Sequence, residues 1–195
     1  MNSLKKGFTL IELLVVIAIL AILATVIVVI INPAELLKQT RDASRISDLG
    51  ALNSAVALYL ADVVSPGIGG PANAACASGA NATKVLCTAA GTSPFGGVAC
   101  VTNATTTVDG NGWIPVTLTS ISSGSPLSRL PLDPVNSTTY FYAYGCGGGN
   151  SALNFEIDAT MESAKYTSTS TGVMRNADDG GNNANWYEVG NSLVQ

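Results

Sequence analysis

Residues 8–31 form a 24-residue apolar tract with one ionisable side chain, Glu12. No other feature constrains the fold as strongly. As an α-helix the tract would reach about 36 Å, enough to span a bilayer with some tilt. Residues 13–31 carry no charge and one hydroxyl, Thr25. A carboxylate at the bilayer centre costs roughly 2.5–3.5 kcal/mol on insertion scales, so an acid in such a tract points to function and to a partner. The competing reading is an acid near a helix end that snorkels toward water.

The partner is sought upstream. Residues 1–7 carry Lys5 and Lys6 and no acid, a short basic flank that the positive-inside rule keeps cytoplasmic. An ordinary secretory signal has an apolar core of about 7–15 residues closed by a small-x-small cleavage site. This tract is longer, and no Ala-x-Ala closes it. Any cleavage is therefore expected on the cytoplasmic side, with the apolar helix retained. A cut after Gly7 would give Phe8 an α-amine, largely cationic at neutral pH. In apolar surroundings that amine and the Glu12 carboxylate would attract strongly.

The string Gly7-Phe8-Thr9-Leu10-Ile11-Glu12, behind a basic flank and ahead of a long apolar helix, resembles the class III signal of type IV prepilins and type II secretion pseudopilins. The resemblance covers residues 1–31 and extends along the helix to about residue 61. It implies a membrane-embedded prepilin peptidase that cuts between Gly7 and Phe8 and methylates the Phe8 nitrogen. It implies that Glu12 pairs with the Phe8 amine of a neighbouring subunit during assembly. The partners it implies are further copies of this chain or other pilins, the peptidase, the pilus assembly machinery and the membrane. The precursor would sit in the inner (cytoplasmic) membrane and the product in a cell-surface filament with its globular domain outside. The implied fold is α+β and pilin-like: a long N-terminal α-helix packed on a small antiparallel β-sheet domain.

Five segments are expected: a leader (1–7), a transmembrane and filament-core helix (8–31), an amphipathic continuation (32–63), a disulfide-linked loop region (64–131), and a sheet with a C-terminal loop (132–195). Pro33 lacks the N–H that would bond the Val29 carbonyl, which predicts a kink. Beyond it Leu37, Ile46, Leu49, Leu52, Val56, Tyr59 and Leu60 fall at helical spacing. Lys38, Arg41, Asp42, Arg45 and Asp48 are expected on the opposite, solvated side. Ser65-Pro66-Gly67 and Gly69-Gly70-Pro71 stop the helix.

The loop region is rich in small residues, which gives cross-links a structural purpose. Cys76, Cys87, Cys100 and Cys146 are an even set in a domain expected to be exported, so disulfides are predicted. Three connectivities are open. We favour Cys76–Cys87 with Cys100–Cys146, because the second would tie the loop to the sheet. Strands are expected at 98–102, 105–108 and 113–118, with Asp109-Gly110-Asn111-Gly112 as a hairpin turn. Leu130-Pro131-Leu132-Asp133-Pro134 resembles an element that precedes the sheet in many pseudopilins. Residues 140–144 read as a strand with three tyrosines on one face, expected to pack on the helix. A turn follows at 146–151. In 152–160, Leu153, Phe155 and Ile157 alternate with Asn154, Glu156 and Asp158, a strand with one wet face.

Glu156, Asp158 and Glu162 are thus expected in solvent. The chain has no histidine, the commonest general base, and no nucleophile elbow. Gly147-Gly148-Gly149 lacks the lysine of a phosphate loop. We therefore expect no enzyme, no catalytic residue and no cofactor. Zinc lacks both histidine and Cys-x-x-Cys. Asp178 and Asp179 supply oxygens that suit calcium, and some pseudopilins bind calcium in a C-terminal loop. However, a twelve-residue frame ending at Glu188 starts at Ala177, so the loop reads as solvated and no metal is assigned. Asn81, Asn103 and Asn136 head acceptor patterns for glycosylation, which occur often by chance. Net charge is −4, and −6 without residues 1–7, with seven basic against thirteen acidic side chains. That excludes the basic footprint of nucleic-acid binding. The alternative to a filament subunit is an uncleaved, membrane-anchored binding or adhesion module that uses the tyrosine face.

Overall fold

The structure is a computed structural model. It describes residues 7–70, 85–96, 98–147, 153–167 and 179–193. Lys5, Lys6, Cys76, Asn81 and Asp178 lie outside the described residues. The chain divides into two units, Met1–Leu37 and Lys38–Gln195.

The first unit is built on helix α1 (Leu10–Ile31), whose 22 residues are all exposed. It has no polar stripe. A helix that is apolar all round is stable only when covered by lipid or protein. The helical stretch from Leu10 holds a window long and apolar enough to cross a membrane. Helix α1 stops at Asn32, which adopts the left-handed conformation with φ 46°. Asn is among the few non-glycine residues that tolerate that region. Helix α2 (Pro33–Asp62) starts at the next residue. The Asn32 carbonyl accepts from Glu35 N at 3.0 Å, and its side-chain oxygen accepts from the same N–H. Asn32 thus closes one helix and caps the next. Pro33, placed in the first turn of α2, has no N–H that would need a partner there.

The second unit packs the rest of α2 against a five-stranded sheet. Strands β1 (Val85–Cys87), β2 (Cys100–Thr102), β3 (Tyr142–Gly147), β4 (Asn154–Ala159) and β5 (Tyr187–Gly190) lie in the order β2-β1-β3-β4-β5. The fold is α+β and pilin-like, as expected. One pair departs from the antiparallel pattern: β1 and β2 run parallel, so the sheet is mixed. Leu49, Leu52, Ala55, Val56 and Tyr59 of α2 form the core with Trp113, Ile114, Val116, Leu118, Tyr142, Tyr144 and Ile157. Leu37, in contrast, is exposed.

Four expectations are corrected. First, Cys87 pairs with Cys100, their Cα atoms 5.6 Å apart. The favoured Cys76–Cys87 and Cys100–Cys146 pairing is excluded. The reason is register: Val85 lies beside Cys100 and Cys87 beside Thr102, so both cysteines occupy adjacent strands that sequence spacing does not reveal. Cys146 is also disulfide-bonded. Second, 105–108 and 113–118 are not strands. Trp113, Ile114, Val116 and Leu118 are all buried, which an alternating hairpin does not allow. Only an isolated Asp109–Thr117 bridge remains of the hairpin. Third, Cys146 and Gly147, expected to open a turn at 146–151, belong to β3; the rest of that expected turn, 148–151, lies outside the described residues.

Fourth, the charged side of α2 is not solvated throughout. Asp42 and Arg45 are 0 % exposed. Arg45 donates to Asp133 through Nε at 2.6 Å and NH2 at 3.0 Å, and to Asp42 through NH1 at 2.8 Å. It also pairs with Glu162 at 2.6 Å. Glu162, expected in solvent, receives a bidentate bond from Arg41 as well. Asp42 in turn accepts the backbone N–H groups of Glu162 and Ser163. The Leu-Pro-Leu-Asp-Pro element therefore supplies Asp133 as a lock for α2. Glu156 and Asp158 are also buried, at 2 % and 0 % exposure.

Candidate assembly site at the N terminus

The start of α1 brings together the residues on which the sequence argument turned. Thr9 is the N-cap, with extended backbone (φ −81°, ψ 152°). Its Oγ1 accepts from Glu12 N at 3.3 Å. Glu12 reaches back, its Oε2 accepting from Thr9 N at 2.8 Å and from Thr9 Oγ1 at 2.7 Å. This is a reciprocal capping box, which satisfies two of the donors that every helix N-terminus leaves open. Both bonds use Oε2, so Oε1 stays outside the box.

The surroundings are open. Phe8 is 87 % exposed, and a Cβ added to Gly7 would meet nothing within 4 Å. The Gly7–Phe8 bond is therefore sterically approachable. A cut there would leave Thr9 N, Thr9 Oγ1 and the capping box in place. Leu10, Ile11, Leu13 and Leu14 beside Glu12 are all exposed, so any group that meets Glu12 on this helix meets it in an apolar setting.

Residues 2–28 match the family described as the prokaryotic N-terminal methylation motif. The chain carries the class III signal of type IV prepilins and pseudopilins. No curated protein and no solved structure matches the chain. The signal implies processing by a prepilin peptidase and entry into pilus assembly machinery. With the apolar helix it fits a membrane-anchored precursor. Motif and fold together suggest a structural protein.

The prepilin signal accounts for Gly7, Phe8 and Glu12, which lie within six residues. The described cysteines stand apart from it, Cys87 and Cys100 cross-linking adjacent strands of the second unit. Two of the three tyrosines of that face lie in the core: Tyr142 and Tyr144 are fully buried, and their hydroxyls donate to Asp48 at 2.8 Å and to the Ile68 carbonyl at 2.7 Å. Tyr140 lies under Arg45, its centroid 5.1 Å from the guanidinium carbon. What sequence reasoning missed is a group of buried carboxylates, Glu156, Asp158 and Glu188. Alternation by itself puts Glu156 and Asp158 on a wet strand face. No local signal distinguishes a wet face from one covered by distant loops.

Proposed function

We propose that this chain is the precursor of a structural subunit of a type IV pilus or pseudopilus-like filament. The peptidase cuts after Gly7 and methylates Phe8. Glu12 of an incoming subunit then meets the Phe8 amine of a neighbour, and the apolar helices bundle as they leave lipid. The observation that carries this reading is the complete prepilin signal at the head of an uncovered apolar helix. Exchanging solvated charges for a buried pair is roughly neutral in free energy. The Glu12–amine pair would therefore set axial register more than it adds stability. The Pro33 region would give the assembled helices a point of bending.

Because Glu12 also caps its own helix, the test must separate the two roles. Glu12→Gln retains a carbonyl acceptor for the capping box but loses the charge. Cells producing it should insert and process the protein normally yet assemble few or no filaments by electron microscopy. Wild-type filament numbers from Glu12→Gln would refute charge pairing. The anchored binding module loses support, since two of the three tyrosines it would use, Tyr142 and Tyr144, are buried in the core.

A further inference from the structure

Helix α1 starts at Leu10, and Gly7, Phe8 and Thr9 stand outside it. The Gly7–Phe8 bond is therefore less than one helical turn upstream of the helix. Phe8 and Thr9 are both tolerated in helices, so their side chains do not by themselves keep the next turn unwound. An α-helix pairs each N–H with the carbonyl four residues earlier. Winding back would let Ile11 N donate to the Gly7 carbonyl and Glu12 N to the Phe8 carbonyl. Among the described residues no backbone N–H donates to either carbonyl.

The capping box is what stops the helix there. Glu12 N, the donor that the Phe8 carbonyl would need, is taken by Thr9 Oγ1 at 3.3 Å. A cap side chain reaches that N–H only from non-helical backbone. Thr9 has ψ 152°, and a helical Thr9 would have to turn to about −42°. The turn would pull Oγ1 off Glu12 N and disturb the return bonds to Glu12 Oε2 at 2.8 and 2.7 Å. Without the cap the balance reverses. The first N–H groups of a helix have no partner within it, and in apolar surroundings each open group is costly. Winding one turn upstream would satisfy two of them with the Gly7 and Phe8 carbonyls.

We infer that Thr9 is a positioning residue for removal of the leader. Through the capping box it fixes the start of α1, so that the Gly7–Phe8 bond is presented unwound to the peptidase. The inference rests on the processing step of the function proposed above. In that step water adds across the bond, leaving a carboxyl group on Gly7 and the amine on Phe8. The attack needs an open carbonyl carbon at Gly7, and inside a helical turn the backbone of that turn encloses it. Gly7 and Phe8 are exposed. The box uses Glu12 only as an acceptor and does not need its charge, which separates this role from pairing during assembly.

The test is cleavage of the full chain in detergent micelles by a purified prepilin peptidase, read by product mass. Thr9→Val keeps the shape and loses the cap, whereas Thr9→Ser keeps the cap. Loss of a cap of ordinary strength shifts a helix-start equilibrium by about fivefold. A substrate that is competent only when unwound shows a raised KM and an unchanged kcat. Thr9→Val should therefore raise KM about two- to fivefold with kcat held, and Thr9→Ser should match the wild type. The NMR Cα shift of Phe8 should move toward the helical value in Thr9→Val and stay in place in Thr9→Ser. An unchanged KM in Thr9→Val overturns the inference, as does equal impairment by Thr9→Ser. A raised KM with an unmoved Phe8 shift overturns it too, because the peptidase would then be reading the hydroxyl itself. A wild-type chain left uncut between Gly7 and Phe8 would instead overturn the function proposed above, and this inference with it.

Discussion

At the residue scale, Arg45 is the most exacting position in the second unit. It is wholly buried and engages three carboxylates, on Asp42, Asp133 and Glu162. Removing one partner of such a network leaves uncompensated charge in the interior, at about 3–5 kcal/mol. Arg45→Ala should therefore lower the urea unfolding free energy of the full chain in micelles by that amount. Arg45→Lys should recover only part of it, lacking the planar fork that serves Asp133 bidentately. Glu162 gives a pH signature. The bond from Arg41, helped by Arg45, holds its carboxyl below the ordinary value of 4.5, against the effect of burial. With the folded-state value depressed, the unfolded chain binds more protons at low pH. The stability Glu162 contributes is thus fully present above about 4.5 and is lost as pH falls through the folded-state value. The difference in unfolding free energy between wild type and Glu162→Gln should be constant near neutrality and shrink below pH 4.5. A difference that grew on acidification would show the opposite sign and contradict the assignment. The Asp42–Arg45 spacing of three was legible in sequence. That the pair is buried was not, because Asp133 and Glu162 lie 88 and 117 positions beyond Arg45.

At the element scale, what could be read depended on how local the cause is. The break before Pro33 and the stop after Asp62 come from neighbouring residues, and their signals stood in the sequence. The four-residue Asn32-Pro33-Ala34-Glu35 stretch is a case in point, although the left-handed residue is Asn32 and not the proline. Alternation in β4 identified a strand and its two faces. It did not show that Phe95 and the loop at Gly181 cover the second face. Strands β1 and β5, three and four residues long, are too short for periodicity to register, and they exist through pairing with β3 and β4. The disulfide depends on that pairing too. Cys87 and Cys100 are 13 residues apart, and closing a loop of that size stabilises by about 3 kcal/mol in the chain-entropy account. Replacing both by serine should lower unfolding free energy by about 2–4 kcal/mol in non-reducing buffer, and a reductant should lower the wild type at least as far, since it also opens the bond at Cys146.

At the scale of the whole molecule, the two units carry different chemistry. The second is stabilised internally, by a helix–sheet core, a buried ion network and disulfides. The first exposes every side chain of α1, a condition that only lipid or neighbouring helices relieve. A chain built this way is completed by its surroundings. In the function we propose, the Gly7–Phe8 junction decides which surroundings follow: uncut, the chain would stay an anchored precursor, and cut, it would gain the amine that Glu12 meets on another copy. The most direct measurement is the intact mass, with fragment sequencing, of the protein recovered from its native source. The account predicts a chain that begins at Phe8 and carries a methyl group on its α-nitrogen. A product that still bears Lys5 and Lys6 in assembled filaments would contradict it, since no Phe8 amine would then exist for Glu12 to neutralise.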